Sequence, residues 1–363
     1  MSDAALRILH TESSLGWGGQ EIRILTEARG VARHGHTVVI AAPPEARIYA
    51  EASAYGVEVV GLPIARKGLT GFASMRRFLA SHPFDVVNTH SSTDSWLVAL
   101  AGAAPIVRTR HISSPVPRNA ATRWLYGRAA QIVTTGEKLR AQVIEEAGVD
   151  AARVISIPTG IDLAHFAPGD AQAARAALGL PAAARIVGIV ATLRGWKGHR
   201  FLLEALARMA RPDVLLLVVG DGPVREATER QAAGLGIGDR VRFVGNQRDV
   251  APWLHALDLF CLPSYANEGV PQALAQAMAC ALPVVTTPVG SIEELIADGR
   301  TGILVPPSDP EALARALGAL LDDPARARSL GAAALQHARE HLGEETMIGA
   351  MIEVFSRARK SCA

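Results

Sequence analysis

Short apolar runs alternate with amphipathic stretches along the whole chain. The runs are rich in Val and Ile and stay apolar at successive positions, as in Val214–Val219. Continuous apolar runs are typical of strands buried on both faces of a parallel sheet, and amphipathic stretches between them are typical of covering helices. The pattern therefore predicts an α/β protein built from doubly wound parallel sheets.

The predicted elements fall into two groups along the chain. The predicted strands are residues 6–10, 38–42, 57–62, 86–90, 106–109, 132–135 and 154–157, followed by 186–190, 214–219, 241–244, 257–262, 284–287 and 303–305. Amphipathic helices are predicted between them, for example at 20–34 and 138–147. Single cores rarely grow beyond roughly 250–300 residues, so a chain of 363 residues is expected to form two domains, 1–165 and 166–343. The stretch 162–184 is predicted as the crossing between them, and 344–363 as a terminal helix.

Composition narrows the functional class. The net charge of +2, from 37 basic and 35 acidic residues, gives no support to nucleic-acid binding, which usually needs a clustered basic face. The N-terminus lacks the features of a signal peptide, and the longest apolar runs are far shorter than the ~20 residues that span a bilayer. Cys261, Cys280 and Cys362 form no C-x-x-C pair, and we expect two buried thiols and one terminal thiol. A cytoplasmic protein is expected.

The most informative motif is the stretch 263–285. A predicted strand is followed by a polar loop that ends in Glu268, Gly269, Val270 and Pro271, and a helix rich in small residues then begins. Unpaired N–H groups at a helix N-terminus attract anions, and Pro271 suits the first helical position. Gln276 lies just over two helical turns beyond Glu268, so both side chains can face one pocket.

A second motif, 191–199, follows the first predicted strand of the second domain. Arg194 and Lys197 lie at the carboxyl end of that strand, where open α/β sheets place their ligands. The two cations could neutralise a diphosphate leaving group without a metal ion. A solvated surface pair is the alternative.

Glycines form a third motif, Gly18 and Gly19, between the first strand and the first helix. Such glycines allow a phosphate to approach the backbone closely, although a tight turn alone would also need them. Neither this loop nor the glycines at 220 and 222 complete a G-x-G-x-x-G dinucleotide fingerprint.

Together these motifs resemble the retaining glycosyltransferases of family 4. Glu268 and Gln276 correspond to the family's Glu-x7-Glu pair, with Gln in place of the second Glu. Lys197 fits the family's G-R-L-x-x-x-K-G pattern, whereas its Arg position is occupied by Thr192 and an arginine follows two residues later. The resemblance implies the GT-B fold, in which two Rossmann-like domains face each other across a cleft. It also implies an acceptor-binding first domain, a donor-binding second domain, and a terminal helix that returns to the first domain.

The resemblance also implies roles for individual residues. Glu268 would hold donor-sugar hydroxyls near the anomeric carbon, and His111 would lie against donor sugar and acceptor as the second catalytic residue. The remaining donor-binding residues would be Gly18, Gly19, Arg194, Lys197, Gly269, Val270, Gln272, Ala273 and Gln276. Gln20, Glu21 and His90 would face the acceptor or the cleft, and for His90 a place in the core is an equal alternative.

The implied reaction transfers a sugar from a nucleoside diphosphate to a hydroxyl of a glycan or lipid-linked acceptor, with retention and without a metal or other cofactor. Bacterial surface polysaccharide, such as lipopolysaccharide, capsule or exopolysaccharide, is the implied product. The alternatives are a GT-B sugar-nucleotide epimerase and a non-catalytic nucleotide-binding subunit. The basic segment 66–78 also predicts peripheral contact with an anionic membrane through Phe72 and Met75, unless that helix packs its apolar face inward.

Overall fold

The computed structural model describes residues 5–102, 104–266 and 268–361. The chain divides into two compact units. The first consists of Met1–Gly160 together with Glu344–Ala363, and the second of Ile161–Gly343. The division lies five residues before the boundary that the sequence predicts.

A parallel sheet forms the centre of the first unit. Its strands are β1 (Arg7–Thr11), β2 (Thr37–Ala42), β3 (Glu58–Gly61), β4 (Val86–Thr89), β5 (Ile106–Arg110), β6 (Ala129–Thr134) and β7 (Val154–Ser156). Their order in the sheet is β3-β2-β1-β4-β5-β6-β7, and every neighbouring pair is parallel. The order reverses between β1 and β4.

Helices cover this sheet. They are α1 (Gly19–Arg33), α2 (Arg47–Glu51), α3 (Leu69–Ser81), α4 (Ser92–Ala101), α5 (Ala120–Gly127) and α6 (Glu137–Ala147), with 3-10 turns at Ala52–Tyr55 and Ala151–Arg153. The terminal helix Glu344–Lys360 belongs to the same unit and packs on α1. A Cβ atom at Gly30 of α1 would lie 2.0 Å from the terminal carbon of Ile348, so glycine permits this close approach.

The second unit repeats the architecture. Its strands are β8 (Arg185–Val190), β9 (Val214–Val219), β10 (Val241–Gly245), β11 (Leu259–Leu262), β12 (Val284–Thr286) and β13 (Ile303–Leu304). They form a parallel sheet in the order β10-β9-β8-β11-β12-β13, which reverses between β8 and β11. The helices are α7 (Ala171–Ala177), α8 (His199–Met209), α9 (Arg225–Gly234), α10 (Ala251–His255), α11 (Gln272–Ala279), α12 (Ile292–Leu295), α13 (Pro310–Asp322) and α14 (Pro324–His341), so the terminal helix is α15. Further 3-10 turns lie at Gly195–Lys197 and Gly238–Arg240.

Every predicted strand is confirmed, with ends that differ by a few residues. The prediction that 162–184 crosses between the domains is wrong, because this stretch lies within the second unit and contains α7. The buried Arg175 of α7 donates hydrogen bonds to the Ala256 carbonyl at 2.9 Å and to the Asp258 carboxylate at 2.8 Å. The stretch is therefore tied to the sheet of its own unit.

Two smaller expectations concern cysteines and the membrane. Cys261 and Cys280 are buried free thiols, as predicted, and Cys362 lies outside the described residues. The expected foothold of Met75 in a membrane is wrong, because Met75 is 0% exposed in the core of the first unit and Phe72 packs against the same core. No helix in the described ranges has the length and apolar character needed to cross a membrane.

Candidate functional site

The predicted donor residues of the second unit gather where its strand order reverses. β8 and β11 are neighbours in the sheet, so the loops that follow them leave the same edge side by side. The backbone N–H of Tyr265 in the second loop donates to the carbonyl of Trp196 in the first, at 2.9 Å. Open α/β sheets bind ligands at such a reversal.

Glu268 and Lys197 form an ion pair between these loops. The Lys197 Nζ lies 2.7 Å from Oε1 and 3.0 Å from Oε2 of Glu268, which is only 4% exposed. The buried Ser264 donates its hydroxyl to Oε1 at 2.6 Å, and the Ser264 carbonyl accepts a hydrogen bond from Thr287. A cation and a hydroxyl thus hold the Glu268 carboxylate in one place. The sequence gives no signal for Ser264 and Thr287, since hydroxyl residues in loops carry no distinguishing pattern.

Two glycines allow the neighbouring loops to approach this pair. Gly198 and Gly290 have left-handed backbones, with φ of 78° and 61°. A Cβ atom at Gly198 would lie 1.9 Å from the Pro263 carbonyl oxygen, and one at Gly290 would lie 1.9 Å from the Glu268 carbonyl oxygen. Any other residue would displace the segment that carries Glu268.

The helix after Glu268 begins one residue later than predicted. Pro271 is its N-cap and Gln272 its first residue, and the N–H groups of Leu274 and Ala275 donate to the Pro271 carbonyl, which leaves those of Gln272 and Ala273 for a ligand. The Val270 side chain packs in the core of the second unit, which leaves only its backbone for a ligand. Gln276 is 7% exposed on α11.

The other residues of the second motif are not members of the ion pair. Arg194 is exposed and stacks its guanidinium 5.2 Å from the Trp196 ring. The buried His199 follows Gly198 at the start of α8, and burial, together with the charge of Lys197, lowers its pKa to about 4. Gly220 has φ of 136°, and a Cβ atom there would lie 2.1 Å from the Ala191 carbonyl oxygen, so glycine permits this close approach.

In the first unit, histidines gather at the corresponding reversal. His10 is the next-to-last residue of β1, His90 follows β4 and His111 follows β5, and these three strands are neighbours. His10 Nδ1 lies 3.0 Å from His90 Nε2, and His90 Nδ1 lies 2.9 Å from His111 Nε2. Burial is the main cause that lowers the pKa of all three imidazoles.

His90 and His111 are among the residues predicted from the sequence, whereas His10, a polar residue in an otherwise apolar strand, is not. For His90 the structure gives a buried position, at 6% exposure, in contact with both other rings.

The glycine loop of the first unit leads into α1. Gly18 is the N-cap, with an extended backbone, and Gly19 is the first residue of the helix. The Gln20 side chain donates to the Glu12 carboxylate and, at 3.2 Å, to the Ser91 hydroxyl, while Glu21 is buried. The predicted residues of this loop therefore begin a polar network.

Glu12 and Asp94 extend this network, and sequence analysis missed both. Asp94 caps α4 and accepts hydrogen bonds from Thr11 at 2.8 Å and Ser13 at 3.0 Å. Burial, together with the nearby Asp94 carboxylate, raises the pKa of Glu12 to about 8. Burial likewise raises the pKa of Asp94.

Comparison with known proteins places both units in one group. Residues 17–165 match the family model described as Glycosyltransferase Family 4, and residues 184–323 match a family model of group 1 glycosyl transferases. A D-inositol 3-phosphate glycosyltransferase 2 of Catenulispora acidiphila is 34% identical over 307 residues, which cover 76% of this chain and 71% of the relative. A glycosyltransferase from Rickettsia africae ESF-5 has a TM-score of 0.87 and 20% identity, over 99% of this chain and 100% of its own. Alr3699/HepE of Anabaena, solved in complex with UDP and glucose, has a TM-score of 0.86 and 22% identity, over 97% of this chain and 99% of its own.

Proposed function

The chain belongs to family 4 of the glycosyltransferases and has their GT-B fold, and from this premise we propose that it transfers a hexose from a nucleoside diphosphate to an acceptor hydroxyl, with retention at the anomeric carbon. The observation that carries the proposal is the ion pair of Lys197 and Glu268 beside the N-terminus of α11. In the proposed donor complex, Glu268 holds hydroxyls of the sugar and Lys197 faces the diphosphate.

The short distance within the ion pair supports this division of roles. The anomeric carbon and the leaving phosphate of a sugar nucleotide are joined through one oxygen atom, so the groups that recognise them must lie within a few ångströms of each other. The separation of 2.7 Å between Lys197 Nζ and Glu268 Oε1 meets that requirement. The ion pair also keeps the buried carboxylate neutralised before the donor arrives.

Three further features fit a diphosphate and its nucleoside. The free N–H groups of Gln272 and Ala273 at the start of α11 suit the phosphates. Gln276, one turn further along the same helix, would bind the ribose hydroxyls, because an amide can both donate to and accept from a diol. Arg194 would close on the phosphates from its exposed position. Since HepE of Anabaena binds UDP and glucose, UDP-glucose is the first donor to test.

The proposed chemistry uses the protein's own charges. The acceptor hydroxyl attacks on the face that the phosphate leaves, and the departing phosphate takes the hydroxyl proton. Lys197 and the N-terminus of α11 stabilise the charge that develops on the phosphate, which is usually the largest contribution to catalysis. No metal is required in this scheme.

We assign acceptor binding to the first unit, through His111, Gln20 and Glu21 together with the N-terminus of α1 at Gly18 and Gly19. The relative from Catenulispora acidiphila is named for D-inositol 3-phosphate, a polyol, whereas a surface glycan or lipid-linked precursor is the acceptor that the family resemblance implies. Both belong in the acceptor panel.

The function is tested by incubating the protein with a panel of nucleotide sugars. A transferase should hydrolyse one donor slowly and should consume it faster when the right acceptor is present. An α-linked product from an α-linked donor would support retention. Conversion of the donor to its epimer would instead identify an isomerase, and tight binding without turnover would identify a non-catalytic subunit.

Glu268→Ala supplies the residue-level test. It should lower turnover by about 10²–10³-fold while leaving the melting temperature close to that of the wild type. Glu226→Ala, which removes an exposed glutamate of the same unit, is the matched control and should change neither. Activity of Glu268→Ala within a few-fold of wild type would contradict the assignment.

We also propose that the first unit contacts anionic membranes reversibly, with an exposed leucine and not the buried Met75 as the apolar contact. Arg66, Lys67, Arg76 and Arg77 are exposed along α3 and the loop before it, and Leu69 is 87% exposed. Basic side chains near an anionic leaflet contribute about 1 kcal/mol each, and Leu69 replaces the buried Met75 as the apolar contact.

Co-sedimentation with anionic liposomes tests this contact. We expect binding at low salt that is lost at high salt and lost when the four basic residues become Ser. The matched control replaces four exposed arginines of the second unit by Ser: Arg230, Arg315, Arg326 and Arg328. Equal loss in both variants, or no binding by the wild type, would refute a specific surface on α3.

A further inference from the structure

His10, His90 and His111 form a row across the first unit. They lie on or directly after three adjacent strands, β1, β4 and β5, and adjacent strands are about 4.7–4.9 Å apart. The ring centroids are accordingly 5.2 Å apart at both steps, and the rings of His10 and His90 are within 10° of parallel. The sheet itself therefore sets the spacing of the row.

The ring nitrogens make the row a chain of hydrogen bonds. His10 Nδ1 pairs with His90 Nε2, and His90 Nδ1 pairs with His111 Nε2. A neutral imidazole carries one N–H and one bare nitrogen, and each of these bonds needs one of each. Only two proton arrangements satisfy both bonds: all three protons on Nε2, or all three on Nδ1. A change of tautomer at one ring therefore breaks a bond unless the other rings change as well.

The two ends of the row differ. At His10, Nε2 is buried, has no hydrogen-bond partner among the described residues, and the ring meets Phe355 of α15 nearly at right angles, with centroids 6.0 Å apart. At the other end, His111 is a residue to which the proposed function assigns acceptor binding. His10 is thus held by packing, and His111 is the ring of the row that can contact the acceptor.

Burial and the positive charge of Arg23 favour neutral rings in the row. Burial, and to a smaller extent the charge of the buried Arg23 of α1, opposes protonation of His90 and His111, while burial alone opposes protonation of His10. The partner of Arg23, Glu27, lies 3.7 Å from it and also accepts a hydrogen bond from Asn88 of β4. Asp94 of α4 accepts a hydrogen bond from the His90 backbone. The row is not arranged as a metal site: no group of three or more His, Cys, Asp or Glu side chains in the described part of the chain could hold an ion.

We propose that His10 and His90 are positioning residues that hold His111 in one tautomer and one ring orientation for the transfer reaction. The inference rests on the proposed function for the role of His111, but not for the coupling of the three rings. An imidazole that lacked this chain could exchange tautomers and rotate, and would present its contact atom to the substrate only part of the time. Outer partners that orient a functional histidine typically change activity by about 10–100-fold when removed.

The coupling can be tested in the free protein. Nitrogen-15 spectra of histidine-labelled protein distinguish a protonated from a bare ring nitrogen, and the His111 signals are identified by their loss in His111→Gln. We expect wild-type His111 to show one protonated and one bare nitrogen, unchanged from pH 8 to pH 5.5. His90→Phe keeps the ring volume but removes both nitrogens, and should shift the His111 signals towards the average of the two tautomers. His10→Phe should do the same from two rings away, and it carries the test if His90→Phe does not fold.

The activity measurement separates this inference from the proposed function. His90→Phe and His10→Phe should lower kcat about 10–100-fold with little change in the donor KM, while His82→Phe, the same replacement at an exposed histidine of this unit, should change neither. Full activity in both variants, with His111→Ala inactive, would overturn the inference and leave the proposed function standing. A wild-type protein that turns over no nucleotide sugar would overturn the proposed function. The nitrogen-15 spectra of His111 would then be the only test of whether the three rings are coupled. An averaged tautomer in the wild type would overturn the inference.

Discussion

Gly290→Ala perturbs the candidate donor site without replacing a functional side chain. The backbone at Gly290 is left-handed, and its α-carbon faces the carbonyl group of Glu268. An added Cβ atom would lie 1.9 Å from that oxygen, 2.7 Å from its carbon and 3.1 Å from the Glu268 Cβ atom. The substitution therefore acts on the position of Glu268.

Two effects contribute, and their magnitudes differ. A left-handed backbone costs a non-glycine residue about 1–2 kcal/mol, which lowers the melting temperature of a unit of this size by about 2–8 °C. Relief of the contact requires the Glu268 backbone to retreat by about 1 Å, and a displacement of that size at a catalytic group can cost about 10²-fold in rate. We therefore expect Gly290→Ala to lose about 10²-fold in kcat for donor hydrolysis or transfer.

Gly299→Ala is the matched control for backbone strain. Gly299 has φ of 70°, close to the 61° of Gly290, and a Cβ atom added there would meet no atom within 4 Å. Both variants should lose stability in thermal melts, Gly290→Ala by more because its contact with Glu268 must also be relieved, but only Gly290→Ala should lose activity on the nucleotide sugar. Equal activity of the two variants would show that the Glu268 loop tolerates displacement, and would refute the argument that its position is critical.

The remaining predictions concern single side chains of the two units. Lys197→Ala should weaken binding of the nucleoside diphosphate, measured by calorimetry, and the wild type should stay active in chelator; a strict need for Mg²⁺ or Mn²⁺ would contradict the charge scheme. Gln276→Glu should retain the donor KM, whereas Gln276→Leu should raise it by the equivalent of about 1–3 kcal/mol; equal KM values for the Leu and Gln forms would remove the ribose contact. The raised pKa of Glu12 means that the folded chain keeps a proton, up to about pH 8, that the unfolded chain releases near 4.5, so stability should fall as pH rises through this window. Glu12→Gln should flatten that fall in melts at pH 6 and pH 8, and an unchanged fall would show that Glu12 does not cause it.

The strands could be predicted because each is a continuous apolar run. A strand that is buried on both faces of a parallel sheet is apolar at every position, so its ends show in its own sequence. The ends of β8 and β9 can therefore be predicted without knowing which strands lie beside them. The assignment of 162–184 to a domain crossing failed for the opposite reason. Its Pro and Gly residues suggest a linker, whereas the contact that places it in the second unit joins Arg175 to Asp258, 83 positions away.

The candidate site shows the same limit. Glu268 and Lys197 were each predicted at the end of a strand, but their pairing depends on β8 and β11 being neighbours, which the sequence does not reveal. The helical spacing of Phe72 and Met75 predicts one apolar face on α3, and both residues pack into the core of the first unit. Periodicity cannot tell whether such a face packs inward, and burial of Met75 settles the direction.

The two units place their chemistry at the same topological position. In the first sheet the order reverses between β1 and β4, and these strands carry His10 and His90; in the second it reverses between β8 and β11, whose loops carry Lys197 and Glu268. At a reversal the connections on the two sides run to opposite faces of the sheet, so the loops diverge and leave the strand ends open. Polar residues there can be buried by one another while still meeting a ligand, which is why an imidazole row and an ion pair are stable at these points. A polar residue within or directly after an apolar run therefore indicates a functional site most strongly when the strand lies next to the reversal of strand order. This criterion adds His10 to the predicted His90 and His111.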